Sequence, residues 1–254
     1  MAAGDAMNRT TSQGKAETTG LRRIDCAHSM YQKNRGASLI WRGMAAAGVL
    51  VICAGCQKVL DTRLFRAAAD GDVTLVNSLI ESGAHVNARE QEWETPLIYA
   101  ATEGHPAVVV LFLSKGAEVD AVSMNGETAL GRAAVRGEIA CVRILVQYGA
   151  NIERGGARGT TPLMYASSGG QTEVMKFLLE VGAKPNAEDE DGDTALGYAA
   201  SRESPKQIFD ILIAAGADIN HKNSRGKSAE ILAAENGYRQ LAESLKEMAH
   251  RRVK

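Results

Sequence analysis

The segment GTTPLMYASSGGQTEVMKFLLEVGA, from Gly159 to Ala183, decides the fold, because its landmarks recur along the chain. Thr62, Thr95, Thr128, Thr161 and Thr194 stand 33 residues apart, and Ser228 follows after 34. Nine positions beyond these markers come Gly71, Gly104, Gly137, Gly170 and Gly237. A second column, Gly83, Gly116, Gly149, Gly182 and Gly216, is followed each time by alanine, from Ala84 to Ala217. Three residue types held in phase over so many periods mark a repeat architecture.

The chemistry of one unit explains its spacing. Thr95-Pro96-Leu97 starts a helix: the threonine hydroxyl accepts from an orphan backbone N–H, and proline suits the first helical position. Ala100-Ala101 lets the helix of the next unit approach closely, and Gly104 ends the helix in a left-handed cap. A second helix buries Val108, Phe112 and Leu113 and is capped by Gly116; residues 117–127 then run as an extended hairpin to Thr128. Helices of about eight to ten residues do not persist alone in water. Each unit therefore buries its apolar face on its neighbours, which is the physics of a solenoid.

Gly159-Thr160-Thr161-Pro162-Leu163, with Leu178-Leu179-Glu180-Val181-Gly182-Ala183, resembles the ankyrin repeat pattern G-x-T-P-L-x-x-A…G…L-L-x-x-G-A. The resemblance covers roughly residues 59–254 in six units, at about 59–91, 92–124, 125–157, 158–190, 191–224 and 225–254. It implies an all-α ankyrin-repeat solenoid of six helix-turn-helix units joined by β-hairpin loops. The chain departs from the pattern in places. The histidine that usually follows T-P-L is replaced by Ile98, Gly131, Met164, Gly197 and Ile231, so its bond between repeats is missing. The fifth unit has Arg202-Glu203-Ser204-Pro205-Lys206 where the middle glycine belongs, and a distorted turn is expected there. The first unit lacks proline and the last ends in a polar tail, as capping repeats require.

The first 55 residues are of another kind. Residues 1–29 are polar and without period, and read as disordered or untranslated. Lys33, Arg35 and Arg42 precede an apolar run from Gly43 to Gly55, so 30–55 reads as an export signal. That run would span only about 20 Å as a helix, short of a hydrocarbon core. Ala54-Gly55-Cys56 resembles the lipobox of bacterial lipoproteins, although Cys53 stands where leucine is usual. The resemblance implies lipidation of Cys56 and a mature chain of 56–254, anchored on the periplasmic face of the outer membrane; Met30 or Met44 then suits the true start. Ordinary signal cleavage and an uncleaved anchor are the alternatives.

Composition narrows the function. The 254 residues hold 40 Ala but only 12 Phe, Trp and Tyr, which suits closely stacked short helices. Lys+Arg 29 against Asp+Glu 30 leaves no bulk positive field for nucleic acid. From residue 56 onward the balance is 22 to 27, a net charge of −5. Four cysteines make no disulfide framework, and Cys141 is expected as a buried free thiol. His85, His105, His221 and His250 fall in different units with no recurring nucleophile, and no phosphate-binding glycine motif is present, so no catalytic residue, cofactor or metal is assigned. The run from Glu188 to Asp193 fits no calcium loop and reads as a solvated tip.

By the resemblance, the hairpin tips and the edge of the first helices form a partner-binding surface. The candidate residues on it are Trp93, Tyr99, Arg132, Arg136, Tyr165, Tyr198 and Arg202. Trp93 stands where the turn glycine usually sits; it is either an interface anchor or packs across an adjacent hairpin. Tyr99, Arg132, Tyr165 and Tyr198 recur once per unit, as a cation–π ladder or as a packing ladder. Tip charge changes sign along the chain, which favours an oriented protein partner over a uniform polyanion. The expected function is a non-catalytic, monomeric protein–protein interaction scaffold on the periplasmic side of a bacterial membrane, binding, inhibiting or protecting a protein partner. The alternative is a cytosolic or host-directed adaptor without a lipid anchor.

Overall fold

The computed structural model describes residues 54–90, 92–202 and 204–252. The polar stretch 1–29 and the export signal through Cys53 lie outside the described residues, and Cys56 is described only in its helical backbone. Among the described residues there is no β-strand. The α-helices are α1 (Ala54–Asp70), α2 (Val73–Glu81), α3 (Pro96–Thr102), α4 (Pro106–Ser114), α5 (Ala129–Arg136), α6 (Ile139–Gln147), α7 (Pro162–Ser168), α8 (Thr172–Glu180), α9 (Ala195–Ala200), α10 (Lys206–Ala214), α11 (Ala229–Glu235) and α12 (Arg239–Arg252). No described helix is long and apolar enough to cross a membrane.

Each odd-numbered helix packs on the even one that follows it. The odd helices form one row, α1 to α11, and α2 to α10 form a second. The odd row is the more closely stacked. Its contact residues explain the difference: Ala100, Ala101, Ala133, Ala134, Ala166, Ala199, Ala200 and Ala233 are fully buried, so neighbouring backbones meet with little side chain between them. The even row contributes bulk, with Val108, Phe112, Val142, Leu145, Val174, Leu178, Ile208, Phe209 and Leu212 all buried. One continuous apolar cluster runs from Leu64 to Leu245, so no helix pair holds a core of its own.

The local signals act largely as the sequence predicts. The hydroxyls of Thr95, Thr128, Thr161 and Ser228 accept from the N–H groups of Ile98, Gly131, Met164 and Ile231. Both glycine columns adopt positive φ, from 73° at Gly71 to 99° at Gly182. Thr62 departs from the pattern. It lies well inside α1 and its hydroxyl donates to the Lys58 carbonyl (2.9 Å), because no loop or proline precedes it to start a helix there. In five of the turns, the residue after the middle glycine donates its N–H to an alanine carbonyl five positions back, as His105 does to Ala100 (2.9 Å). In the fifth pair, which lacks that glycine, Arg202 donates to Ala199 (3.3 Å), α9 shortens to six residues and Pro205 sits at the N-cap of α10. The expected distortion is present.

The loops expected as β-hairpins are instead tight turns. Pairs such as Ser123 N–H to Glu127 C=O (3.0 Å) and Asp189 N–H to Asp193 C=O (3.1 Å) close them, and a single antiparallel bridge links Val122 with Thr128. Among the described residues these bonds do not extend into a paired strand. Two further sets of bonds bind neighbouring units. A side-chain oxygen of Asn87, Asp120, Glu153 or Asn186 accepts the N–H of Glu118, Asn151, Lys184 or Asp218 in the following loop, at 2.8 to 3.0 Å. The His105 imidazole lies on Gly71 and bonds the Ala69 carbonyl (2.8 Å), a structural role that also uses the space left by the missing Cβ. Cys141 is fully buried and its thiol is pushed up to about 11, by burial first and Glu138 second; it is an inert core group.

Candidate partner-binding surface

The tips of successive loops are joined by backbone hydrogen bonds. Met124 N–H donates to Glu92 C=O (2.7 Å), Ala157 to Asn125 (3.1 Å), Glu190 to Arg158 (2.8 Å) and Ser224 to Asp191 (2.9 Å). The tips therefore form one continuous edge, and their side chains stand in a fixed order along it. At the third-residue position of these turns stand Gly126, Gly159, Gly192 and Gly226, with φ between 68° and 75°. Trp93 holds that place in the first tip with φ 59°. A residue with a Cβ is disfavoured there by about 1–2 kcal/mol. Trp93 is nevertheless 58% exposed. Its ring carries the Arg89 guanidinium at 5.5 Å, and that guanidinium also donates to the carbonyls of Trp93 (3.3 Å) and Val122 (3.0 Å). Trp93 thus meets Arg89 of its own loop and stays largely exposed.

Arg158 is the other non-glycine residue at positive φ, 60°, in a 3-10 turn of Ala157–Gly159. Its guanidinium is already engaged by Glu190 (3.5 Å) and Asp191 (2.8 Å) of the next tip. Of the two strained tips, Arg158 is tied to the next tip by two carboxylates, whereas Trp93 stays largely exposed with Arg89 over its ring.

Behind the tips, the tyrosine column lies half-buried against carboxylates of the loops. Tyr99 donates to Glu90 (3.4 Å) and meets Phe65 edge-on, with centroids 5.5 Å apart. Tyr198 donates to Asp189 (2.8 Å) and also contacts the Thr160 hydroxyl (3.4 Å). The hydroxyl of Tyr165 stands over Gly156, where a Cβ would collide with it. Arg132 does not join these rings as a cation–π ladder. It pairs with Glu127 (3.4 Å) and Glu94 (3.9 Å), because the carboxylates at the loop bases outcompete a ring face for a guanidinium. The cation–π contacts found among the described residues are Arg89 on Trp93 and Arg143 on Phe177.

Burial, and next Glu94 for Tyr99 and Glu127 for Tyr165, push both phenols up to about 12; burial, with Asp189 adding, raises Tyr198 as well. Between pH 10 and about 12 the folded chain therefore keeps protons that the unfolded chain has released. The stability they contribute is complete below pH 10 and is lost as pH rises through about 12. Circular dichroism melts across that range should show a falling midpoint, and Tyr165→Phe should flatten the fall by removing one titrating group.

Tyr198 and Arg202 come together with Asp189, Asp191, Asp193 and Tyr238 around an open depression of about 500 Å³. The acidic run is used internally: Asp189 accepts from the Asp191 and Asp193 N–H groups (both 2.9 Å), and Asp193 holds Asn223 (2.7 Å) and Arg225 (3.5 Å). Among the described residues no cluster of three or more His, Cys, Asp or Glu is arranged to hold a metal ion. Arg136 is exposed in the last turn of α5. Arg89, which fixes the Trp93 ring, was not apparent from the repeat spacing; its signal was its place four residues before the tryptophan, on the other arm of the same turn.

A family model described as Ankyrin repeats (3 copies) matches residues 64–156, 116–189 and 153–223. The chain belongs to the ankyrin-repeat family. Ankyrin repeats are in general non-enzymatic protein-interaction scaffolds, consistent with a surface of hydrogen-bonded carboxylates and exposed aromatic groups. No curated protein matches the chain. Among solved structures, it is similar to the immunity protein in the complex of the Bd0816 predatory endopeptidase from Bdellovibrio bacteriovorus with immunity protein Bd3460. The TM-score is 0.64 at 29% identity, over 72% of this chain and 96% of that chain.

Proposed function

We propose that this ankyrin-repeat chain is a non-catalytic scaffold of six stacked units that binds a protein partner and inhibits or protects it. We further propose that it works as a monomer, held on the periplasmic face of a bacterial membrane by lipid on Cys56. The observation that carries the reading is the likeness, over 96% of its length, to an immunity protein solved with an endopeptidase. The tip edge supports it: one exposed tryptophan, its ring beside Arg89 of the same loop, is kept in a backbone conformation that favours glycine. The partner of such a scaffold is a folded protein that the edge and the odd-helix row grip together.

Two measurements test it. The tagged full chain, cross-linked in its own cells and purified, should bring down one protein in stoichiometric amount; recovery of none overturns the scaffold reading. Growth with radiolabelled palmitate should label the chain, and Cys56→Ser should abolish the label. An unlabelled, soluble cytosolic chain would favour the adaptor without a lipid anchor.

A further inference from the structure

The first two tips carry a feature that the rest of the edge lacks. Met124 is 68% exposed and its N–H is bonded to the carbonyl of Glu92, the residue before Trp93. Two residues with large apolar side chains thus lie on adjacent, hydrogen-bonded tips, both largely in solvent. Carboxylates surround them. Glu90 and Glu92 are exposed on the Trp93 tip, and Glu94 and Glu127 lie at the two loop bases. The guanidinium groups there are already placed, Arg89 on the Trp93 ring and the Val122 carbonyl, Arg132 on Glu94 and Glu127. An apolar pair in a net negative surround is complementary to an apolar side chain flanked by cations.

Resting on the scaffold reading, we propose that Trp93 and Met124 form the primary contact for a protein loop presenting an apolar side chain beside lysine or arginine. The apolar group seats against the open side of the indole and the Met124 thioether, and the cation meets Glu90 and Glu92. Arg89 lies over the indole ring, so the ring is already oriented when the partner arrives.

The test places the photo-cross-linker p-benzoyl-phenylalanine at Asn125, an exposed neighbour on the tip, in the full chain, and separately at Arg202 beside the depression. Illumination should join the partner to position 125, and mass spectrometry should find an apolar residue next to lysine or arginine at the attachment point. Met124→Ser or Glu92→Lys should cut that adduct by about tenfold, and added salt should weaken it. An adduct at 125 that ignores both substitutions, one whose partner segment is acidic, or one joining two copies of this chain overturns the proposal. An adduct at 202 alone overturns it too, while leaving the scaffold reading intact. No adduct at either position removes both.

Discussion

Trp93→Gly is expected to make the protein more stable and less functional at once. Replacing a residue at φ 59° with glycine relieves about 1–2 kcal/mol of backbone strain. Glycine gives back part of that through its greater freedom in the unfolded chain, and the Arg89 contact is lost as well. The balance is a gain of about 0.5 kcal/mol, seen as a higher urea midpoint at unchanged slope. Partner affinity should fall about thirtyfold or more, the loss typical of a central tryptophan. Opposite signs are the point of the experiment. A tryptophan kept for packing would lower both quantities when removed, and a lower midpoint would return Trp93 to the structural class.

What the sequence disclosed and what it hid divide along a physical line. Helix starts, glycine turns and alanine faces repeat because every unit faces the same local problem, so Thr95, Gly104 and Ala100 could be placed by their chemistry alone. Features set by pairs of units were hidden. The tip-to-tip backbone bonds, the oxygens of Asn87, Asp120, Glu153 and Asn186 reaching into the next loop, and the placement of Arg89 under Trp93 all depend on how one layer sits on another. Arg132 shows the cost of reasoning from one column. A guanidinium between tyrosines suggested ring contacts, but Glu94 and Glu127, on the adjoining loop bases, were the stronger partners. The turn glycines were legible one by one, whereas the meaning of an odd residue among them was not until its φ and exposure were known.

The same blindness to neighbours separates two glycines at one repeat position, and their alanine variants should move stability in opposite directions. Gly131 and Gly197 both replace the histidine usual after T-P-L, and by sequence the loss looks alike. At Gly131 the next loop occupies the space a side chain would need. Thr128 donates its N–H to the Gly155 carbonyl (3.1 Å) and its hydroxyl to the Arg154 carbonyl (3.0 Å), and any Cβ on Gly131 would collide with the Gly155 backbone. Gly155 itself has no room for a Cβ, which would meet the backbone of Thr161 and Pro162. Gly131→Ala is expected to cost about 2 kcal/mol, and Gly131→His, although it restores the usual residue, about 3 kcal/mol. At Gly197 the nearest atoms to a Cβ are the Asp193 carboxylate oxygen at 3.3 Å, which also accepts from Asn223, and the Leu232 methyl at 3.5 Å; neither is backbone, and a shift of the carboxylate by a few tenths of an ångström makes room. Gly197→Ala should therefore gain about 0.5 kcal/mol from helix propensity. Urea denaturation of the three variants reads the signs directly. Because cohesion in this stack is between neighbours, the Gly131 variants should also split a single transition into two, as the layers before and after the damaged junction uncouple. A stabilised Gly131→His would mean that the α5 to α7 junction has room for the usual inter-repeat histidine, and that the close approach of Gly155 is not what holds it.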